Sequence, residues 1–262
     1  MNPRMQARVA AFFDLDGTLV PPPSLEWRFF RRLRYRRAIP ARNYWLWLRE
    51  AVRLVPRGIF ALHSDNKMYL RGVSVAIEPR AGPANGSGHN WAGRAPLPAA
   101  AFFPAAIERV AWHAAQGHAI VLVSGTLEPL AENAAWQLET QLRARGCEPA
   151  VRVCATRIEV AGGRFTGHIL GQAMAGAEKA RAAKQLATAE GWDLARSFAY
   201  GDTARDRWLL EIVRYPAAIN PTAHLARVAS RRGWPMLHWK TAETPPRHGG
   251  QADSLMQARF GS

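Results

Sequence analysis

Three short apolar stretches that stop abruptly at polar tips constrain this chain more than any other feature. Val9 to Phe13 leads into Asp14, Leu15, Asp16, Gly17 and Thr18. Ala119 to Val123 leads into Ser124, Gly125 and Thr126, and Ser197 to Tyr200 leads into Gly201, Asp202 and Thr203, with Asp206 four residues beyond Asp202. Continuous apolar stretches of this length fit strands buried on both faces, which belong to parallel sheets covered by helices. The expected fold is therefore α/β, a doubly wound parallel sheet, and ligands in such sheets bind beyond the carboxyl ends of the strands. Any one strand-end Asp or Ser is usually a structural turn residue. Three in order can converge on one crevice.

The intervening segments supply the helices. Phe103 to Gln116 reads as a helix closed by Gly117, a second runs from about Leu127 to Arg145, and Glu178 to Glu190 forms another. Arg152 to Ala155 is a possible third strand, and Gly162 and Gly163 turn a hairpin between Ile158 to Val160 and Phe165 to Ile169. Ala217 to Asn220 and Met236 to His238 complete the strand set.

After the first motif the pattern changes. Pro21, Pro22 and Pro23 block a helix, Ser24 can cap one, and Trp27, Phe30 and Leu33 recur at helical spacing. Past Pro40, the stripe Tyr44, Trp45, Leu48, Val52 and Val55 continues that period. Ten arginines from Arg28 to Arg57 face one acid, Glu50. They read either as a solvated face wrapped around its own apolar stripe, or as a helix pair that meets phosphate or a membrane surface. Arg80 to Pro98 is crowded with Gly and Pro and reads as a loop, and the tail after Thr241 reads as mobile.

Composition narrows the partners. Thirty-five Lys and Arg against 20 Asp and Glu leave a net charge of +15, which attracts phosphate-bearing partners. Cys147 and Cys154 form no disulfide framework and match no metal or redox spacing. The apolar stretch at Val9 to Phe13 is too short for a signal peptide, and Leu97 to Ile107 is interrupted by prolines and too short to span a bilayer. A cytoplasmic protein is the expectation. His113 and His118 are five residues apart, not the four that pair zinc ligands on a helix, and Ser124 lacks the flanking glycines of a hydrolase elbow.

Asp14 to Thr18, Val123 to Thr126, a helix lysine, and Gly201 to Asp206 together resemble the four motifs of haloacid dehalogenase-like phosphohydrolases. The resemblance covers most of Val9 to Trp239 and is closest to the phosphoserine-phosphatase-like branch, subfamily IB, whose helical cap lies between the first two motifs. It implies a catalytic core of residues 1–20 and 99–241, a cap of residues 21–98 and a flexible tail at 242–262. It also implies a Mg²⁺-dependent phosphomonoesterase. Asp14 would be the nucleophile that forms an aspartyl-phosphate, and Asp16 the acid and base. Asp14, the backbone carbonyl of Asp16 and Asp202 would bind the metal, with Asp206 supporting the metal shell or the lysine, and Ser124, Gly125 and Thr126 would hold the phosphoryl oxygens. Lys179 is preferred over Lys184 as the charge-compensating lysine because it lies near its helix start, after Gly176.

The residue chemistry agrees. A carboxylate that attacks a phosphate must overcome anion repulsion, and a hard divalent cation neutralises both partners. Two departures separate the chain from phosphoserine phosphatases. Pro21 to Ser24 replaces an acidic substrate-recognition stretch, and Arg205 stands where a smaller polar residue is usual. Glu26 reads as a first-turn helix charge more readily than as an amine ligand. The cap arginines point to an acidic or multiply phosphorylated small substrate. Two rivals remain: a lipid-phosphate phosphatase or phosphotransferase resting on a membrane through the Arg- and Trp-rich cap, and a non-catalytic nucleic-acid-binding protein. No nucleic-acid partner is expected under the enzymatic reading, and the sequence leaves the oligomeric state open.

Overall fold

The computed structural model describes residues 8–58, 62, 64–74 and 97–241. Most of the expected Gly- and Pro-rich loop and the whole expected tail therefore lie outside the described residues. Six strands form one parallel sheet: β1 (Ala10–Phe13), β2 (Ala119–Leu127), β3 (Val151–Thr156), β6 (Phe198–Gly201), β7 (Tyr215–Ile219) and β8 (Met236–Leu237). Their spatial order is β3-β2-β1-β6-β7-β8, so the chain winds outward from β1 in both directions and reverses there. The remaining strands, β4 (Ile158–Ala161) and β5 (Arg164–Ile169), form the hairpin turned at Gly162 and Gly163.

Register gathers the polar tips. Phe13 pairs with Leu122 on one side and with Tyr200 on the other. Asp14 is thus one residue past the paired level, and Ser124 and Asp202 are each two residues past it. All three emerge at the same carboxyl edge.

Two apolar clusters cover the sheet. On one face α3 (Pro104–Ala115) and α4 (Glu128–Arg143) pack through Ile107, Val110, Leu130 and Leu138 against Phe13 and Leu122. On the other, α5 (Ala177–Glu190), α6 (Arg207–Leu210) and α7 (Ala223–Arg232) pack through Ala183, Leu209 and Leu225 against Phe12 and Val121. β2 runs on to Leu127 rather than stopping at Val123, with an irregularity after Ser124 that turns the polar tip out of the ladder. The helix at α7 was not legible from the sequence pattern.

The inserted segment forms α1 (Leu25–Tyr35) and α2 (Ala41–Leu54), and Ser24 caps the first by accepting from the Trp27 N–H. The buried face of α1 is Leu25, Phe29 and Leu33, not the expected set with Trp27, which is half exposed. The correction for α2 is larger. It rests on buried Asn43 and Leu54, while the expected stripe of Tyr44, Trp45, Leu48, Val52 and Val55 stays 44% to 66% exposed. The helix does not wrap its own apolar stripe. Asn43 Nδ2 instead bonds the carbonyls of Tyr69 and Arg71, and the Phe165 and Gly72 backbones tie that returning segment to β5. Arg28 joins the entry and exit of the insertion by donating to the carbonyls of Pro21, Pro23 and Ala99.

Candidate active site

At the carboxyl edge of β1, the chain turns through Gly17, whose φ is +91°. A Cβ there would stand 2.1 Å from Asp202 Oδ2, so only glycine lets the first and last polar tips meet. Gly201 serves the same purpose on the adjacent strand, where a Cβ would lie 2.4 Å from Asp206 Cβ.

Into this space α5 projects Lys179 from its first turn. Its Nζ lies 2.5 Å from Asp14 Oδ1 and 2.5 Å from Asp206 Oδ1, with all three side chains buried. Asp206 is fixed in turn by the N–H of Thr203 at 2.9 Å and its hydroxyl at 2.7 Å. Thr18 Oγ1 is 3.4 Å from Asp14 Oδ2. Lys184, the other candidate lysine, is exposed further along α5.

Asp16 sits differently. Its Oδ1 accepts the Leu25 N–H at 2.7 Å, so this carboxylate anchors the first turn of the cap helix. Ser124 and Thr126 are buried, the Thr126 N–H donates to Ser124 Oγ at 3.2 Å, and Thr156 Oγ1 holds the Gly125 carbonyl at 2.8 Å. Thr156 also accepts the Met174 N–H. Its positioning role at the end of β3 carries no sequence signal.

Negative charge exceeds positive in this pocket, and the acidities record it. Burial pushes Asp14 up to about 7, with Lys179 opposing and Asp206 adding to the rise. Asp202 is pushed up to about 9 by burial and then by Asp14 and Asp206. Burial also raises Asp16, against the Leu25 N–H. Asp206 goes the other way: burial would raise it, but Lys179 and the Thr203 hydrogen bonds hold it below the usual carboxylate range. Burial would strip Lys179 of its proton, yet Asp14 and Asp206 outweigh that and keep it charged.

Carboxylate oxygens of Asp14, Asp202 and Asp206 lie within 4.8 Å of one another. Three hard anionic donors against one ammonium suit a divalent cation such as Mg²⁺ in both charge and ligand type. The Asp16 carboxylate is not in that group.

The cluster floors a cavity of about 540 Å³ whose far wall comes from α1, α2 and the segment after them. Trp27, Phe30, Tyr44 and Trp47 line it, with Glu26, Lys67 and Tyr69 among them. The expectation that cap arginines face the substrate is overturned: among the described residues none of the nine from Arg28 to Arg53 lines the cavity. The helices turn their cationic faces outward, and the arginine in the wall, Arg205, comes from the core. His113 and His118, set aside as a zinc pair, do meet, with Nδ1 atoms 2.8 Å apart, because the turn at Gly117 folds the strand back. His113 Nε2 also contacts the Tyr200 hydroxyl, which places His113 in the core, with His118 half-buried beside it.

The family model for haloacid dehalogenase-like hydrolases matches residues 11–211. A probable phosphatase of Mycobacterium tuberculosis is 32% identical over 88% of this chain and 76% of its own length. A phosphoserine phosphatase of the same organism is 28% identical over 95% of this chain and 76% of its own. An inhibition of morphological differentiation protein of Streptomyces azureus is 48% identical, but the match spans 34% of this chain and 32% of that one. Among solved structures, a Bordetella pertussis protein of unknown function superposes with a TM-score of 0.58 at 26% identity, covering 88% of this chain and 99% of that one. No helix among the described residues is long and apolar enough to cross a membrane.

Proposed function

Because the chain belongs to the haloacid dehalogenase-like hydrolases, in their phosphoserine-phosphatase-like branch, we propose that it is a phosphomonoester phosphatase that works through an aspartyl-phosphate on Asp14. The observation that carries this reading is the buried contact of Lys179 with both Asp14 and Asp206 at the floor of a substrate-sized cavity. Asp14, Asp202, Asp206 and the backbone carbonyl of Asp16 would hold Mg²⁺, which supplies charge neutralisation between the phosphate and its attacker.

The chain's own residues account for the rest. A carboxylate oxygen of Asp14 forms the new bond to phosphorus as the ester P–O bond breaks. Asp16, whose acidity burial weakens, gives its proton to the departing alcohol oxygen. It then takes a proton from water, whose oxygen attacks the same phosphorus and releases phosphate and free Asp14. Lys179 compensates the charge on Asp14 and the phosphoryl group, and Ser124 with the backbone at Gly125 and Thr126 receives the phosphoryl oxygens. Replacing Asp14 by Asn should abolish phosphate release from aryl phosphates while the circular dichroism spectrum is kept. Full activity in that variant would refute the reading.

A second reading concerns the outer surface. On α2 and the turn that follows it the exposed residues Leu48, Val52 and Val55 adjoin pocket-lining Tyr44, and Arg49 and Arg53 flank them at helical spacing. Ten arginines against Glu26 and Glu50 across residues 25–58 complement an anionic bilayer. We infer that the cap rests on anionic membrane. Sedimentation with vesicles rich in phosphatidylglycerol, lost in Leu48→Asp/Val52→Asp, supports this. Equal recovery with and without vesicles excludes it.

A further inference from the structure

The roof of the cavity carries information that the hydrolytic floor does not. Glu26, in the first turn of α1, lines the cavity, and its Oε1 accepts hydrogen bonds from Lys67 Nζ at 2.6 Å and from the Tyr69 hydroxyl at 2.9 Å. Lys67 is 2% exposed and Tyr69 is buried, so this carboxylate is neutralised by the protein itself, before any substrate arrives. An ammonium group on a substrate would find in Glu26 a carboxylate whose charge Lys67 already balances, so it would gain little there against the water it gives up. The surrounding wall is Trp27, Phe30, Tyr44, Trp47, Leu62 and Met174, with Ser64 and Asn66 as neutral polar members. An ammonium would lose its hydration against these rings without compensation. An apolar body would gain by leaving water.

We propose that the cavity takes monophosphate esters of apolar or aromatic alcohols that carry no amine, with the Glu26–Lys67–Tyr69 cluster closing the place where an amine would bind. The inference rests on the phosphatase reading and adds its substrate class. Glu26, Lys67 and Tyr69 are specificity residues here. They take no part in the bond changes at phosphorus.

Hexyl phosphate and O-phosphoserine test it directly, because both release an alkyl alcohol and differ in the groups at issue. With Mg²⁺, the wild-type protein should show a kcat/KM for hexyl phosphate at least 100-fold above that for O-phosphoserine. Lys67→Met frees the Glu26 carboxylate and should shift that ratio at least tenfold toward O-phosphoserine. Glu26→Gln/Lys67→Met restores a neutral roof and should return the ratio to within threefold of wild type. An equal or reversed wild-type ratio overturns the inference, and so does a ratio that Lys67→Met leaves unmoved. If Lys67→Met does not fold, the wild-type ratio decides alone. Asp14-dependent release from 4-nitrophenyl phosphate together with a preference for O-phosphoserine leaves the phosphatase reading standing and removes this inference. Release from none of the three esters removes both. Dodecyl phosphate presented in anionic vesicles, compared with free hexyl phosphate, separates a bilayer source of the ester from a dissolved one, and a preference for either supports the apolar chemistry.

Discussion

Asp14 and Asp202 are delivered by strand ends whose register allows them one meeting place, with Asp206 at the start of α6 just beyond, whereas Trp27, Tyr44 and Trp45 stand 44% to 63% exposed on two helices inserted between those strands. The floor is a crowded set of buried charges in which each group is held by at least one other. The roof is aromatic, neutral where it faces inward and cationic where it faces out. Under the proposed phosphatase reading, that contrast assigns the bond-making chemistry to the sheet edge and leaves selectivity to the insertion. It also explains why a cap so rich in arginine need not select an anionic substrate body, since the charge lies on the surface that the substrate does not touch.

The sharpest way to break the contrast is at Lys179. Lys179→Met should lower kcat on the order of 10²- to 10³-fold, as loss of a transition-state charge partner does. Lys179→Arg should not rescue it, because a planar fork cannot sit as a point charge between Asp14 and Asp206. Steady-state kinetics with 4-nitrophenyl phosphate reads both. Gly17→Ala comes next: its Cβ collides with Asp202, and a displacement of that size at the floor should cost about 10²-fold in kcat. A crystal structure or metal titration of that variant should find Asp202 moved.

The roof should respond much less. Reversing exposed charges with Arg31→Glu/Arg36→Glu/Arg53→Glu should change kcat/KM for a dissolved ester by no more than about twofold, since solvent screens surface charge beyond a Debye length. A tenfold loss would show that the outer arginines reach the substrate after all. The smallest effect lies in the core. Burial, with help from His118 and Arg109, holds His113 well below its ordinary 6.5, so the folded protein keeps it neutral where the unfolded chain takes up a proton. Its contribution to stability is complete above about 6.5 and is lost as the pH falls below that value. Thermal melts should therefore show the Tm of His113→Phe rising relative to that of the wild type as the pH falls from 7 to 5, with activity at pH 7 retained.

Much of the floor could be read from the chain before any fold was known. Asp14, Ser124 and Asp202 follow apolar stretches that have to be strands. The choice of Lys179 over Lys184 followed from helix position, and the structure buries the first and exposes the second. The roof was much harder. The apolar residues of α2 recur at helical spacing, and that period says a face exists without saying what lies against it. Lys67 carried one faint signal: the chain has only four lysines among 35 basic residues, and this one and Lys179 are both buried in ion pairs.

The sequence by itself determined the sheet, the strand ends and the carboxylates they carry, because backbone hydrogen bonding and the burial of short apolar stretches depend on local order along the chain. Only the tertiary structure decided that the arginines face away from the cavity, that Glu26 is already matched by Lys67 and Tyr69, and that His113 meets His118 and Tyr200. Those facts depend on the rotation of each helix about its axis and on contacts between residues 41 to 87 positions apart in the longer-range cases, and packing sets both.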